Sequence, residues 1–200
     1  MTSEVQIHAD LETRDKYDQA IITRIAVTPF RFNEDKDVTF QELVDRTLYL
    51  SFDQDEQIAM GRVSGVETEK WWSEQTEELR IESYYPTAND MKAADVLMEC
   101  KRFLSRWNYN HFKSFLWARN CGFECFKIQS LNDQLFPGEK HIFNHWNWHE
   151  VKTFNHILSG GETTKWRHPD ESKWGFQEHN ARHDSAMDTF RMIQLWHGNI

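Results

Sequence analysis

No stretch of this chain approaches the roughly 20 consecutive apolar residues that a membrane-spanning helix needs, so a helical membrane protein is excluded. The N-terminus, with Glu4, His8 and Asp10, lacks the basic and apolar regions of a secretory signal, and a cytoplasmic protein is expected. Cysteine is scarce. Cys100, Cys121 and Cys125 form no even disulfide framework, and Cys121-x-x-x-Cys125 without a second pair is a poor zinc pattern, so buried structural thiols are expected. A glycine-rich phosphate loop, a nucleophile elbow and a cysteine–histidine pair are also absent, which leaves no support for P-loop, serine-hydrolase or cysteine-protease chemistry.

What is present fits one domain spanning residues 1–200. At 24.0 kDa, with 39% hydrophobic and 14% aromatic content, the chain can bury a sizeable core and is globular rather than disordered. Its net charge of −9 is unevenly divided: residues 1–100 hold 10 Lys and Arg against 22 Asp and Glu, whereas residues 101–200 hold 13 against 10. The negative total does not exclude nucleic acid, because divalent cations bound at an acidic site reverse the potential where a phosphate must approach.

The most informative stretch is Val5 to Thr13, Val-Gln-Ile-His-Ala-Asp-Leu-Glu-Thr. Side chains alternate along a strand, so Asp10 and Glu12 lie side by side while Ala9 and Leu11 turn to the opposite, buried face. Adjacent carboxylates repel unless a cation or a shared proton compensates. Asp-x-Glu on a central strand therefore points to a divalent-metal site, with a solvated strand end as the competing reading.

Further along, Ala20 to Phe32 reads as a second strand antiparallel to the first, and Thr47 to Phe52 as a third. Thr68 to Arg80 has helical spacing, and Thr87 with Asp90 predicts a capping box for a helix running to about Trp107. Lys101 to Arg119 has five Lys and Arg, no acid, and interleaved aromatics. It is either a single-strand nucleic-acid surface or a core strand at Phe115 to Ala118 beside a solvated helix end. Helices are predicted at Phe123 to Leu135, Glu150 to Leu158 and Arg182 to Trp196, a short strand or buried connection at Ile142 to Trp148, and a surface loop at Glu162 to Gly175.

Candidate chemistry recurs in the second half. Glu124 opens a helix directly after a strand, where a ligand can face the end of the sheet. In His179-Asn-Ala-Arg-His-Asp184, imidazole and carboxylate would stand about 140° apart on one continuous helix and could not share a target. With Asn180 as N-cap, His179 lies outside the helix and can turn toward what Asp184 faces. Asp188 shares a helix face with Asp184, as a further ligand or as a surface or supporting carboxylate. A rival site is His141, His145 and His149 at spacing four, three nitrogen ligands for zinc if that stretch is helical; the intervening residues are poor helix formers, which favours surface or core histidines.

Together these stretches resemble a known family. Asp10-Leu-Glu12-Thr13 on a first strand, Trp117-x-x-x-x-x-Phe123-Glu124 after a fourth, and His179-x-Ala181-x-x-Asp184 opening the last helix are similar to the three motifs of the DEDDh (DnaQ-like) exonucleases. The phage-encoded exonuclease A group resembles the chain over nearly its whole length, sharing Trp71-Trp72-x-x-Gln75, Trp117-x-Arg119 and a Trp-Asn segment, here Trp146-Asn147. The resemblance implies an α/β, ribonuclease H-like fold with a mixed five-stranded sheet flanked by helices. It also implies 3'-to-5' exonuclease activity on single-stranded nucleic acid, DNA more than RNA, releasing mononucleotides with two Mg2+ or Mn2+ ions, in the host cytoplasm if the protein is phage-encoded. Carried over residue by residue, Asp10, Glu12, Glu124 and Asp184 would hold metal and His179 would be the general base. Three departures stand out: Glu124 where the family has Asp, Glu150 where a close relative would have Asp, and Arg14 where an apolar residue usually wedges near the terminal base. The alternative of a different class is a catalytically weak nucleic-acid- or partner-binding module that keeps the fold.

Overall fold

The structure is a computed structural model and describes residues 4–161, 167–168 and 170–198. Strand β1 (Gln6–Thr13) pairs antiparallel with β2 (Ile22–Phe30), from Gln6 opposite Phe30 to Thr13 opposite Ile22, with a register shift between Glu12 and Thr13. β3 (Leu48–Ser51) runs antiparallel to β2, while β4 (Leu116–Ala118) and β5 (Trp148–Glu150) continue the other side of the sheet in parallel with β1. The order β3-β2-β1-β4-β5 puts the Asp-x-Glu strand at the centre of a mixed five-stranded sheet, as expected.

The alternation of β1 builds the two layers. Ile7, Ala9 and Leu11 join Val96, Leu97 and Leu104 of α5 (Ala93–Arg106) and Ile128 and Leu131 of α6 (Cys121–Leu135) in one apolar layer. The opposite face of the sheet meets α1 (Phe40–Arg46), α7 (Val151–Leu158) and α8 (Ala181–Trp196), where Phe40, Leu43, Val151, Met187 and Phe190 close a second layer. Cys100 and Cys125 are buried free thiols and Cys121 is half-buried, as the cysteine pattern predicts. Among the described residues no helix is long and apolar enough to cross a membrane.

Several local expectations change. α1 precedes β3 in the segment read as leading into a strand, because Thr39 and Glu42 form a reciprocal capping box there. Downstream of α2 (Gln54–Ala59), the helical block from Thr68 splits into α3 (Val66–Ser73) and α4 (Glu77–Ser83). Trp72 drives into the core, its indole donating to the Thr13 carbonyl at 3.1 Å, and the Thr76 hydroxyl starts the second helix by accepting from the Leu79 N–H. Thr87 and Asp90 bond each other in a turn and do not cap α5; its first N–H, on Ala93, is taken by the Glu56 carboxylate at 2.7 Å. Within the predicted loop from Glu162 to Gly175, residues 162–166 and 169 lie outside the described residues, and Glu171–Trp174 is a 3-10 turn.

That turn is tied down by charge. The Arg191 guanidinium donates to both Glu171 oxygens at 2.7 Å and to Asp188 at 3.0 Å, all three groups being buried. Removing the cation leaves the buried Glu171 without its ion-pair partner and Asp188 with Arg119 alone, so Arg191→Met is expected to lower the unfolding free energy by about 3–5 kcal/mol. Urea denaturation checks this, and a loss below about 1 kcal/mol would show that the pairs carry no such weight.

Candidate active site

Three side chains of β1 point toward α8: His8, Asp10 and Glu12. His8 is the anchor. Its Nδ1 meets the Ser185 hydroxyl at 3.0 Å, and Ser185 in turn touches the Thr28 hydroxyl at 2.7 Å and donates to the His8 carbonyl at 3.2 Å. Burial lowers the His8 pKa to about 4, so at neutral pH the ring is an uncharged hydrogen-bonding group. The contact fixes α8 one residue after Asp184, which sets that carboxylate beside Asp10. Asn180 caps α8 as expected, its side-chain oxygen accepting from the N–H groups of Arg182 and His183 at 3.1 and 3.4 Å.

Ligand oxygens of Asp10, Glu12 and Asp184 all lie within 4.8 Å of one another, at the C-terminal end of β1. Burial and mutual repulsion raise all three pKa values. Asp10 is pushed up first by desolvation and then by Asp184 and Glu12, Glu12 by desolvation and Asp184, and Asp184 to about 7 by desolvation and Asp188. Arg24, opposite Glu12 in the β1–β2 register, is the cation that opposes the shift at Glu12, and its guanidinium is fixed by the Glu82 and Tyr85 carbonyls at 2.8 and 2.7 Å.

Carboxyl pKa values raised in the fold make the native state hold protons more tightly than the unfolded chain. The resulting stability is fully present below the ordinary carboxylate range and is lost as pH rises through about 7. In chelator, Tm is expected to fall between about pH 5 and about pH 8, and Mg2+ added at the upper end to restore it. A Tm indifferent to both would contradict the electrostatics of the cluster.

The remaining predicted residues fall around the same cleft of about 380 Å3, lined by Asp10, Glu12, Glu124, His179 and Asp184 among others. Glu124 stands outside the tight triad. It is buried, its Oε2 accepts from the Asn120 N–H at 3.1 Å, and desolvation raises its pKa to about 7. His179 has a left-handed backbone, φ 67°, which turns it out of α8, and its N–H donates to Asp184 at 2.7 Å. Its ring stands edge to face with Trp71 at 4.7 Å, and partial desolvation lowers its pKa.

Asp188 is not a surface carboxylate. It is 1% exposed and is held by Arg119 and Arg191, with the His8 ring 3.7 Å away. With two guanidiniums already on its oxygens it braces Arg119, which lines the cleft. The histidine triplet does not assemble on a helix: His141 meets Asp133 at 2.6 Å, His145 sits in a 3-10 turn, and His149 lies in β5 against Phe115 and Trp117. The sequence reading missed Arg24 and the Glu171–Arg191–Asp188 chain. Hairpin register would have placed Arg24 opposite Glu12, whereas nothing local in the sequence brings residue 171 to residue 191.

A central strand that ends in carboxylates, met by a further carboxylate at the start of a crossing helix, on a sheet of this order, is the ribonuclease H-like arrangement of a nuclease. A family model described as the 3'-5' exoribonuclease Rv2179c-like domain matches residues 5–196, and the chain belongs to that family: it is a 3'-5' exonuclease of the DnaQ-like kind, a hydrolase. The chain is 27% identical over 195 residues to the exodeoxyribonuclease of Enterobacteria phage T4, covering 92% of this chain and 85% of that protein. The crystal structure of cell-death related nuclease 4 (CRN-4) matches with a TM-score of 0.59 at 11% identity over 98% of this chain. The chain spans 64% of the length of that structure, and the likeness concerns the fold alone.

Proposed function

We propose that residues 1–200 form one exonuclease domain that removes mononucleotides from the 3' end of single-stranded nucleic acid, DNA in preference to RNA, in the cytoplasm. Asp10, Glu12, Glu124 and Asp184 would hold two Mg2+ or Mn2+ ions, and His179 would be the general base. The observation that carries this reading is the convergence of Asp10, Glu12 and Asp184 within 4.8 Å. Three repelling, partly desolvated carboxylates are relieved by a bound cation, and an all-oxygen donor set suits Mg2+ or Mn2+ better than zinc. Asp10 would be shared, with Glu12 and Asp184 completing one site and Glu124 contributing to the other. When bound, the ions supply Lewis-acid activation of water and charge neutralisation at the leaving 3' oxygen of an in-line displacement.

The chain's own groups do the rest. The lowered pKa of His179 keeps its imidazole neutral near pH 7, so a ring nitrogen can take the proton of the attacking water. The bond from its N–H to Asp184 and the flanking Trp71 ring restrict where it can swing. Arg119, braced by Asp188, offers positive charge on the cleft wall to a phosphate. The phage T4 exodeoxyribonuclease supports the preference for DNA, and the exoribonuclease description of the family supports RNA as the second reading. Digestion of 3'-labelled single-stranded DNA, duplex DNA and RNA by one preparation decides between them. A faster rate on RNA removes the preference for DNA, and no divalent-dependent release from any of the three removes the whole proposal.

Glu124 reaches about 1.5 Å further from the backbone than the usual aspartate. Its carboxylate uses that length to fold back onto the start of α6, where it meets the Asn120 N–H. Glu124→Asp shortens an arm to which this backbone is fitted, so nucleotide release is expected to slow several-fold and to need more Mg2+. A variant that is faster and saturates at lower Mg2+ would mean that the glutamate is a defect.

A further inference from the structure

Away from the carboxylates, two loops meet at the other end of the sheet. Residues 108–114 lead into β4 and residues 140–147 into β5. Asn147 donates to the His111 carbonyl at 3.2 Å, the Tyr109 and Phe143 rings meet edge to face at 6.2 Å, and Lys140 Nζ stands 4.4 Å over the Phe112 ring. The loops thus present one surface, and two large aromatic side chains on it face water: Phe112 is 72% exposed and Trp146 is 81% exposed. Leaving groups of this size in solvent forgoes hydrophobic stabilisation, so neither serves the fold.

The charge around them is one-sided. In a chain of net charge −9, residues 108–114 and 140–147 contain Lys113, Lys140 and three histidines and no Asp or Glu. The acids that touch these residues come from outside the loops, Glu4 at 3.9 Å from Lys113 and Asp133 at 2.6 Å from His141. Exposed rings interleaved with cations, on loops that supply no carboxylate of their own, match the demands of a single-stranded polynucleotide, whose bases stack and whose phosphates need positive charge. A protein-docking patch would instead be depleted of charge at its centre, and here an ammonium lies on the ring itself.

We propose that Phe112 and Trp146 form a second binding site for the same single strand, stacking bases several nucleotides 5' of the end held at Asp10. This rests on the exonuclease reading of the carboxylate site. β1, β4 and β5 are parallel, so the carboxylates stand at their C-terminal ends and the two loops at the N-terminal ends of β4 and β5. The three residues of β4 and β5, about 10 Å of strand, make up only part of the separation, since Phe112 lies four residues before β4 and β5 stands two strands from β1, which leaves room for several nucleotides. Beside the second loop, Phe126 of α6 is 47% exposed and packs against Trp148 of the edge strand β5 at 5.6 Å, a further ring at this border of the sheet.

The test is anisotropy of 5'-labelled oligo-dT and oligo-U in chelator, which reads binding without cleavage, for long (about 20-nucleotide) and short (about 5-nucleotide) strands. Phe112→Ala with Trp146→Ala is expected to weaken binding of the long strand at least about tenfold and leave the short one unchanged, with Trp146→Phe restoring most of the loss. Lys113→Gln with Lys140→Gln should lower the salt dependence of long-strand binding. Unchanged affinity for both lengths overturns the proposal, as does a change of oligomeric mass in the alanine variant without a change in affinity, which would make the patch a protein interface. Ring-dependent binding of the long strand by a protein that releases no nucleotide would sink the exonuclease reading and leave this site standing.

Discussion

Asp10→Ala is expected to abolish nucleotide release, by at least about a thousandfold, while the metal-free protein keeps its fold and melts higher than the wild type. Both effects have one cause. Asp10 sits at the centre of the charge cluster, where Asp184, Glu12, Glu124 and Asp188 all raise its pKa, so its removal relieves repulsion from several sides. In the proposed assignment the same position would let it serve both cations. The β1–β2 ladder does not depend on the side chain, since Asp10 pairs with Ala26 through backbone. A release assay on a 3'-labelled strand and a melt in chelator read the two effects separately. Full activity in the variant would remove the site assignment, and a lower melting point would show that Asp10 is structural.

His179→Ala should slow release by about a hundredfold to ten-thousandfold, the usual contribution of a general base, with little change in substrate affinity. The side chain is outside the triad and lines the cleft from a left-handed turn, so its loss leaves the clustered carboxylate oxygens in place. Its backbone N–H, which alanine keeps, still reaches Asp184. A defect confined to affinity would make His179 a phosphate contact. The same assay applied to Glu124→Asp distinguishes a carboxylate fitted to its helix from one left over.

Legibility of the site differed from residue to residue. Asp10 and Glu12 could be placed side by side from the strand period alone, and the prediction of Asn180 as N-cap put His179 outside α8, where the structure also has it. Asp188 shows the limit. Helical spacing correctly put it on the face of Asp184, yet left open whether that face met water; its oxygens are held by Arg119, just after β4, and by Arg191, one turn further along α8, and it is 1% exposed. The predicted capping box at Thr87 and Asp90 failed for a related reason. Its residues bond each other, and α5 draws its first hydrogen bond from Glu56, 37 positions earlier.

By itself the sequence determined the alternation of β1, the pair of carboxylates on one of its faces, the first three strands and most helices, and the three motifs that resemble the DnaQ-like exonucleases. These are properties of neighbours a few bonds apart, where the backbone period and hydrogen bonding between adjacent groups dominate. Only the tertiary structure decided that His8 docks α8 through Ser185 so that Asp184 meets Asp10, and that Arg191 joins Glu171 to Asp188. Each of these requires long-range packing to bring side chains within hydrogen-bonding or Coulomb range after burial has removed the water between them, and neither the distance nor the desolvation is encoded in local spacing.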